Sequence, residues 1–244
     1  MNEKVLVIGV GEIGGPLLEL VRERHEAYGL DIKPTGPIPE CGIMHICFPY
    51  DGENFVQHSL RYIEKYRPSL VIVNSTVAPG TTRRIAVESK TDAVNSPVLG
   101  KHARMKQEML QYTKFVGAIT KEAGERAGQH FASLGIKVKL LSTPEASELA
   151  KLTETTYFGV LIAWAQEVER YCKEIGANYD EAVSFYEEIP YLPRVKFFPG
   201  VIGGHCVLPN IKILKGMFKS GILDAIEQSN RIKQQGLGAE GWSK

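Results

Sequence analysis

The segment Gly200–Asn210 combines a reactive cysteine with glycines that make the backbone flexible. Its sequence is Gly200-Val-Ile-Gly-Gly-His-Cys-Val-Leu-Pro-Asn210. The adjacent glycines let the backbone pass close to a bound group, and Pro209 predicts a helix that starts just past Cys206. The positive end of a helix dipole favours the thiolate form of a cysteine. The pattern therefore predicts that Cys206 is a covalent nucleophile. The alternative is a buried thiol that serves only packing.

A glycine motif lies at the other end of the chain, between an apolar strand pattern and an amphipathic helix pattern. Gly9-Val-Gly11-Glu-Ile-Gly14 follows Val5–Ile8 directly. Glycines at this spacing permit the tight turn and the close approach to a pyrophosphate group that dinucleotide binding requires. Asp31 ends the second strand pattern, where an acid binds the adenosine ribose and repels a 2′-phosphate. The motif predicts NAD rather than NADP as the cofactor.

Two alternatives to NAD binding stay open at this point. Lys33 lies near Asp31 and is a cation that would tolerate a 2′-phosphate. A glycine cluster also occurs in turns of unrelated α/β proteins. The position of the motif between a strand and a helix favours dinucleotide binding over a simple turn.

The order of the elements predicts the fold class. Strand-like and helix-like segments alternate through residues 1–142, which indicates an α/β, Rossmann-type domain with a doubly wound parallel sheet. Strand patterns occur at residues 5–8, 28–31, 43–48 and 70–73, with weaker candidates at 93–94, 114–119 and 137–141. We expect residues 143–177 to form a long connecting helix and residues 178–244 a small all-helical region that carries the cysteine motif.

Two helix starts can be predicted from capping residues. Ser142-Thr-Pro-Glu145 has capping-box spacing, so Ser142 is predicted to cap the long helix. Thr81 and Thr82 follow a Pro-Gly turn and are predicted to cap another helix.

The long helix pattern runs without a breaker as far as Gly176 and would measure about 50 Å. Its apolar positions recur at spacings of three and four and are Leu149, Leu152, Phe158, Leu161, Ala165, Val168, Cys172 and Ile175. The rest of this helix is also rich in Tyr, Trp and Ile, so we expect it to pack against neighbours on more than one side. We therefore predict a homodimer that forms through this helix.

Composition excludes several classes of protein. The chain has 244 residues, a net charge of +1 and 23% charged residues, so nothing in its charge favours nucleic acid or an anionic membrane as a partner. No apolar run approaches the roughly 20 residues that span a bilayer. The four cysteines lack metal-ligand spacing and no ligand set surrounds His205, so we expect no metal site. Unpaired thiols and a start without an apolar leader favour a cytoplasmic protein.

Four segments, taken in order, resemble the UDP-glucose/GDP-mannose dehydrogenase family. They are the N-terminal glycine motif, Asn74-Ser-Thr-Val-Ala-Pro-Gly-Thr-Thr82, Glu145-x-x-Glu-Leu-Ala-Lys151 and Gly203-Gly-His-Cys206. The resemblance covers most of residues 1–220. It implies an NAD-dependent enzyme that oxidises a sugar C6 alcohol to a carboxylate in two hydride transfers, through a thiohemiacetal and a thioester on a cysteine. The implied substrate is a small molecule, a sugar or a sugar nucleotide.

The resemblance also implies roles for individual residues. Cys206 matches the nucleophile, Lys151 the helix lysine that binds the oxyanion, and Thr76 the threonine near the nicotinamide and the catalytic water. A cation beside an alkoxide and a thiolate beside an aldehyde suit this chemistry. The predicted cofactor-binding residues are Gly9, Gly11, Glu12, Ile13, Gly14, Asp31, Pro49, Ser75 and Thr76.

Three positions depart from the family pattern. The family's asparagine on the long helix falls on Thr155, its aspartate past the cysteine on Asn210, and its glutamate on Val98. An amide and an alkyl group cannot exchange a proton, so hydrolysis of the thioester is in question. The family's C-terminal nucleotide-gripping domain has no counterpart in this chain. We therefore expect a truncated, divergent member with an altered or smaller substrate.

Three functions remain open on the sequence. The first is an NAD-dependent oxidoreductase of the sugar-nucleotide dehydrogenase type that uses Cys206, Lys151 and Thr76. The second is a two-electron alcohol or hydroxy-acid dehydrogenase in which Lys151 is the general acid/base and Cys206 is incidental. The third is a non-catalytic protein that binds NAD.

Overall fold

A computed structural model describes residues 3–31, 37–100, 104–190 and 198–239. The chain divides into two compact units, whose boundary falls between Lys151 and Leu152. The predicted region boundaries at residues 142 and 177 remain a prediction. Lys33 and the residues after Ala239 lie outside the described ranges.

The described part of the first unit contains a seven-stranded sheet in the order β2-β1-β3-β4-β5-β6-β7. Its strands are β1 (Val5–Ile8), β2 (Ala27–Leu30), β3 (Ile43–Ile46), β4 (Leu70–Val73), β5 (Asp92–Asn95), β6 (Lys114–Ala118) and β7 (Val138–Leu141). The helices that lie between the strands are α1 (Gly14–Arg22), α2 (Glu53–Tyr66), α3 (Thr81–Ser89), α4 (Met105–Gln111) and α5 (Lys121–Ser133).

The sheet is covered on both faces, which confirms the predicted α/β fold class. Every residue of β1, β3 and β4 is buried, as continuous apolar runs require in a central parallel strand. One apolar cluster contains Val5 and Phe131, and a second contains Leu6 and Phe55. Adjacent residues of β1 therefore point into opposite clusters, one on each face of the sheet.

One part of the sheet differs from the fully parallel prediction. Strand β6 runs antiparallel to β5, with Asn95 opposite Gly117, whereas β7 is parallel to β6. The chain leaves β5 and, after α4, enters β6 at the same end of the strands, so the two strands run in opposite directions. Ser96 Oγ, just past β5, donates to the carbonyl of Phe115 near the start of β6 at 2.8 Å.

The long helix α6 spans Pro144–Ile175, 32 residues, but its predicted cap was wrong by one position. The amide of Ala146 donates to Thr143 Oγ1 at 3.2 Å, so Thr143 caps the helix instead of Ser142. Pro144 is the first helical residue, where a missing amide costs nothing, and this fixes the cap one residue before it. Glu145 accepts from Arg83 Nε at 2.6 Å and Nη2 at 3.0 Å.

All the secondary structure in the described part of the second unit is helical. After α6 come α7 (Tyr179–Glu188), α8 (Val207–Met217) and α9 (Gly221–Ala239). Leu152, Ile211 and Ile226 belong to one buried cluster that joins α6, α8 and α9. A Cβ at Gly159 would lie 2.6 Å from Val207 Cγ1, so this glycine permits α6 and α8 to pack closely. Within the described residues, no helix has the length and apolarity to cross a membrane.

A buried histidine pair lies between the sheet and α5. Asn74 Nδ2 donates to the carbonyl of Ile72 and lies 3.0 Å from His45 Nδ1, which therefore accepts. His45 Nε2 then donates to His130 Nε2 at 2.9 Å. Burial lowers the pKa of His130 to about 3, and burial followed by the charge of His130 lowers the pKa of His45 well below its usual value.

Acid should destabilise the protein through this pair. Both histidines are neutral in the folded chain but bind protons below pH ~6.5 when unfolded, so stability is lost as the pH falls from ~6.5 toward the folded values. The loss should be about 1.4 kcal/mol per pH unit for each histidine. In urea unfolding between pH 6 and pH 4.5, His130→Gln should reduce the slope by about that amount. His58→Gln, at an exposed position, is the control, and equal slopes in all three proteins would refute the assignment.

Candidate functional site

The glycine motif lies where the topology of the sheet reverses. From β1 the chain first adds β2 on one side and then β3 on the other. In doubly wound sheets a ligand crevice opens at the carboxyl ends of the strands at this point. Gly9 follows β1 there with φ of +84°, and a Cβ at this position would lie 2.7 Å from the amide nitrogen of Phe48. The reversal thus brings the glycine turn against the loop that follows β3.

The other two glycines of the motif have different surroundings. A Cβ at Gly14 would lie 1.9 Å from the carbonyl oxygen of Gly9, so only glycine fits. At Gly11 nothing lies within 4 Å of the added atom, which leaves open space beside the turn. Ile13 precedes α1 and makes no side-chain cap to its amides, and Glu12 is exposed. An open turn before an uncapped helix start suits a pyrophosphate group.

The other predicted cofactor-binding residues follow neighbouring strands. Asp31 comes directly after β2 and is exposed. Ser75 Oγ, just past β4, donates to the carbonyl of Phe48 at 2.6 Å, which ties the loops after β3 and β4 together. Pro49 is exposed and Thr76 is half-buried. These residues lie at the carboxyl edge of the sheet.

The start of α3 is capped by a residue that the sequence did not indicate. The buried carboxylate of Glu148 accepts from the amides of Gly80 at 2.7 Å and Thr82 at 2.8 Å. Thr81 Oγ1 instead donates to the carbonyl of Ala78, so the predicted threonine cap is wrong. A carboxylate outcompetes a hydroxyl here because it accepts two amide hydrogen bonds and interacts favourably with the helix dipole. The interaction fixes the first turn of α6, one turn before Lys151.

Lys114 is a buried basic group near Lys151. Its Nζ donates to the carbonyls of Ser96 at 2.8 Å and Pro97 at 3.1 Å, at the carboxyl end of β5. Burial lowers the pKa of Lys114 to about 7, and the charge of Lys151 acts in the same direction. Lys114 could not be recognised as a site residue from the sequence, because a single lysine at the start of a strand pattern is not distinctive. Lys151 itself is partly exposed.

Cys206 differs from the other cysteines in its exposure. Cys41 and Cys172 are buried, Cys47 is half-buried, and Cys206 is exposed. Burial raises the pKa of Cys47 to about 12, which keeps that thiol protonated. Cys206 precedes the first residue of α8, and its carbonyl accepts from the amide of Asn210 at 3.2 Å. The structure therefore has the predicted helix start, with an accessible thiol beside it.

Two of the three departures from the family pattern are bonded to each other. Asn210 Nδ2 donates to Thr155 Oγ1 at 2.6 Å, and both residues are buried. Thr155 Oγ1 in turn donates to the carbonyl of Leu152 at 3.2 Å. The third departure, Val98, packs in the core of the first unit. All three positions thus carry neutral side chains, and none offers a base that would activate water.

The candidate catalytic residues are divided between the units. Lys151, Thr76 and the glycine motif belong to the first unit, and Cys206 belongs to the second. Among the described residues, no group of three or more His, Cys, Asp or Glu side chains is arranged to bind a metal ion.

Several known proteins similar to this chain are named as dehydrogenases. Residues 145–234 match the model of the UDP-glucose/GDP-mannose dehydrogenase family, central domain. A UDP-N-acetyl-D-mannosamine dehydrogenase of Methanocaldococcus jannaschii is 27% identical over 172 residues, which cover 66% of this chain and 40% of that protein. The chain therefore spans about 40% of the length of this curated relative.

Two solved structures share the fold. The UDP-D-ManNAc dehydrogenase from Pyrococcus horikoshii has a TM-score of 0.80 at 21% identity and is matched over 95% of this chain and 68% of that chain. The 3-hydroxyisobutyrate dehydrogenase from Mycobacterium tuberculosis has a TM-score of 0.73 at 15% identity, over 96% of this chain and 94% of that chain. At these identities the likeness concerns the fold alone.

Proposed function

We propose that the chain is a member of the UDP-glucose/GDP-mannose dehydrogenase family, whose central-domain model matches residues 145–234, and that it is an NAD-dependent oxidoreductase of a CH–OH group. The observation that carries the proposal is the Gly9–Gly14 turn at the reversal point of the sheet. The close contact of Gly14 with Gly9 and the open space at Gly11 fit a pyrophosphate group. NAD, when bound, supplies the hydride acceptor.

Residues of the chain would then bind the cofactor, orient the substrate and accept the proton. Gly9, Gly11 and the first amides of α1 bind the pyrophosphate, and Asp31 accepts hydrogen bonds from the adenosine ribose. Thr76 lies past β4, at the same edge of the sheet, and orients the substrate beside the nicotinamide. Lys151 receives the hydroxyl proton as the alcohol is oxidised and stabilises the oxygen that is left.

Cys206 is proposed to trap the aldehyde. Its sulfur adds to the carbonyl carbon, and the carbonyl oxygen takes a proton to give a thiohemiacetal. A second hydride transfer would convert this to a thioester and release another proton. Hydrolysis of the thioester requires a base that activates water. Asn210 and Thr155 are hydrogen-bonded to each other and neither is a base, so we propose that this step is slow or absent.

We propose a sugar nucleotide as the substrate class, because the M. jannaschii relative is named for UDP-N-acetyl-D-mannosamine. A smaller hydroxy compound is the second candidate. The neutral Asn210–Thr155 pair favours it, because neither side chain can activate water for the hydrolysis of a thioester. In that case Lys151 acts as the acid/base of a two-electron oxidation and Cys206 takes no part.

Stoichiometry of NADH formation tests the proposal. We expect UDP-N-acetyl-D-mannosamine to give a burst of about two NADH per enzyme molecule and little further turnover, with the sugar retained on Cys206 as the thioester. Absorbance at 340 nm and mass spectrometry of the intact protein measure both quantities. The single substitution Asn210→Asp, which restores an acid, should sustain turnover beyond the burst. No NADH from sugar nucleotides or from a panel of hydroxy acids, despite NAD binding, would leave a non-catalytic binding protein.

We further propose a homodimer that forms through α6. Tyr157, Trp164 and Tyr171 are spaced seven residues apart, so they share one face of the helix, and their exposed fractions are 53%, 51% and 49%. Three large aromatic side chains in one row form an apolar stripe that a second copy would cover. A cytoplasmic location agrees with the four unpaired cysteines.

A further inference from the structure

A buried polar cluster lies next to the cysteine turn in the second unit. It consists of Gln166 on α6 and Ser229 and Asn230 on α9, all of which are buried. Ser229 Oγ donates to Gln166 Oε1 at 2.9 Å. Buried amide side chains cost free energy unless their donors and acceptors are paired. Three of the partners of this cluster are backbone groups of the segment Gly200–Ile202.

Asn230 pairs with the backbone of Ile202 as a neighbouring strand would. Its Oδ1 accepts from the amide of Ile202 at 2.7 Å, and its Nδ2 donates to the carbonyl of Ile202 at 3.1 Å. Gln166 Nε2 donates to the carbonyl of Gly200 at 2.7 Å. Three hydrogen bonds from two side chains therefore fix a segment that has no secondary structure of its own. We call Gln166 and Asn230 the clamp.

The clamp anchors one end of the turn that carries Cys206. Ile202 is itself buried in the core of the second unit, whereas Gly203, Gly204 and His205 are exposed. At the other end, Val207 is buried as the first residue of α8. Only three residues separate Ile202 from Cys206, so the position of the thiol depends on both anchors.

We propose that Gln166 and Asn230 are positioning residues for Cys206. This inference rests on the proposed function, because it assumes that Cys206 is the nucleophile. The glycines that give the turn its freedom also give it many conformations, and the clamp selects one of them. A nucleophile displaced by about 1 Å loses up to about 100-fold in rate, so the clamp should affect catalysis without touching the substrate.

The substitutions Asn230→Leu and Gln166→Met test the clamp, because each keeps the size of the side chain and removes the hydrogen bonds that the side chain makes to residues 200–202. Hydrogen exchange by mass spectrometry should show the amides of residues 202–206 exchanging at least about tenfold faster, with other protected amides unchanged. The value of kcat should fall about 10- to 100-fold, while KM for NAD stays the same because the NAD-binding residues lie in the first unit. Gln228→Leu, at an exposed position on α9, is the matched control.

The outcomes separate the clamp from the proposed function. Unchanged exchange at residues 202–206 in both variants would overturn the clamp, whatever the activity. A wild-type protein that forms no NADH would overturn the proposed function and, with it, the catalytic part of the inference. Faster exchange with unchanged kcat would refute the positioning role. If circular dichroism shows that Asn230→Leu does not fold, Gln166→Met decides, since it removes the bond to Gly200 and leaves the two bonds to Ile202.

Discussion

Replacing Cys206 by alanine should limit each oxidised sugar to at most one NADH instead of about two, because without the thiol no thiohemiacetal forms for the second hydride transfer. The thiol is exposed, so its loss removes little packing, and the melting temperature should stay within about 2 °C of the wild type. The amount of NADH per sugar consumed, read at 340 nm, and thermal unfolding measure the two effects. Mass spectrometry should also find no sugar adduct on the variant.

Cys172→Ala is the matched control for removing a thiol. Cys172 is buried on α6 in the same unit, so its loss should lower stability and leave turnover per folded molecule nearly unchanged. If Cys206→Ala and the wild type form NADH at the same rate and in the same number per sugar, covalent catalysis is excluded. The two-electron mechanism with Lys151 as acid/base would then be the correct one.

Replacing Gly11 by valine should weaken NAD binding at least about 100-fold without destabilising the protein. No atom lies within 4 Å of a Cβ at this position, and its φ is ordinary for a non-glycine residue. The valine side chain would therefore fill the space beside the turn that we assign to the pyrophosphate. Isothermal titration calorimetry with NAD measures the affinity, and thermal unfolding without ligand measures stability.

Gly14→Ala gives the opposite pattern of stability and serves as the comparison. Its methyl group would lie 1.9 Å from the carbonyl oxygen of Gly9, so the turn must distort and the unbound protein should lose about 1–3 kcal/mol of stability. NAD binding to Gly11→Val with wild-type affinity would show that the pyrophosphate does not lie at this turn.

Local sequence patterns were enough to predict most of the fold. Strands β1 and β4 were predicted to the residue, because a run of four apolar residues between polar segments is typical of a buried strand. The long helix was also predicted, since its periodicity continues over 32 residues. The antiparallel direction of β6 was missed because strand direction depends on which edge of the sheet a connection reaches.

The parts of the site that depend on distant residues could not be predicted. Glu148 caps α3 from a position 66 residues beyond Thr82, and its carboxylate outcompetes the threonines that local rules favour. The clamp joins Asn230 to Ile202 across 28 residues. Hydrophobic periodicity does not reveal which amide side chains are buried. The start of α8 at Cys206 was predictable because its signals, the glycines and Pro209, lie within a few residues.

The departures from the family pattern also show that changed residues can be recognised from the sequence, whereas contacts between distant residues cannot. Sequence resemblance identified Thr155 and Asn210 as changed positions, but it treated them as two separate losses. In the structure Asn210 donates to Thr155, so the two residues form one neutral pair. Their pairing satisfies both side chains in the core, which explains how the site is stable without the acid.

A crystal structure with NAD bound tests the central claim most directly. We predict the pyrophosphate at Gly9–Gly14, with Asp31 hydrogen-bonded to the adenosine ribose and with the nicotinamide within reach of Thr76 and Lys151 Nζ through a bound substrate. NAD bound elsewhere, or a nicotinamide remote from Lys151, would contradict the assignment of this chain as an NAD-dependent oxidoreductase.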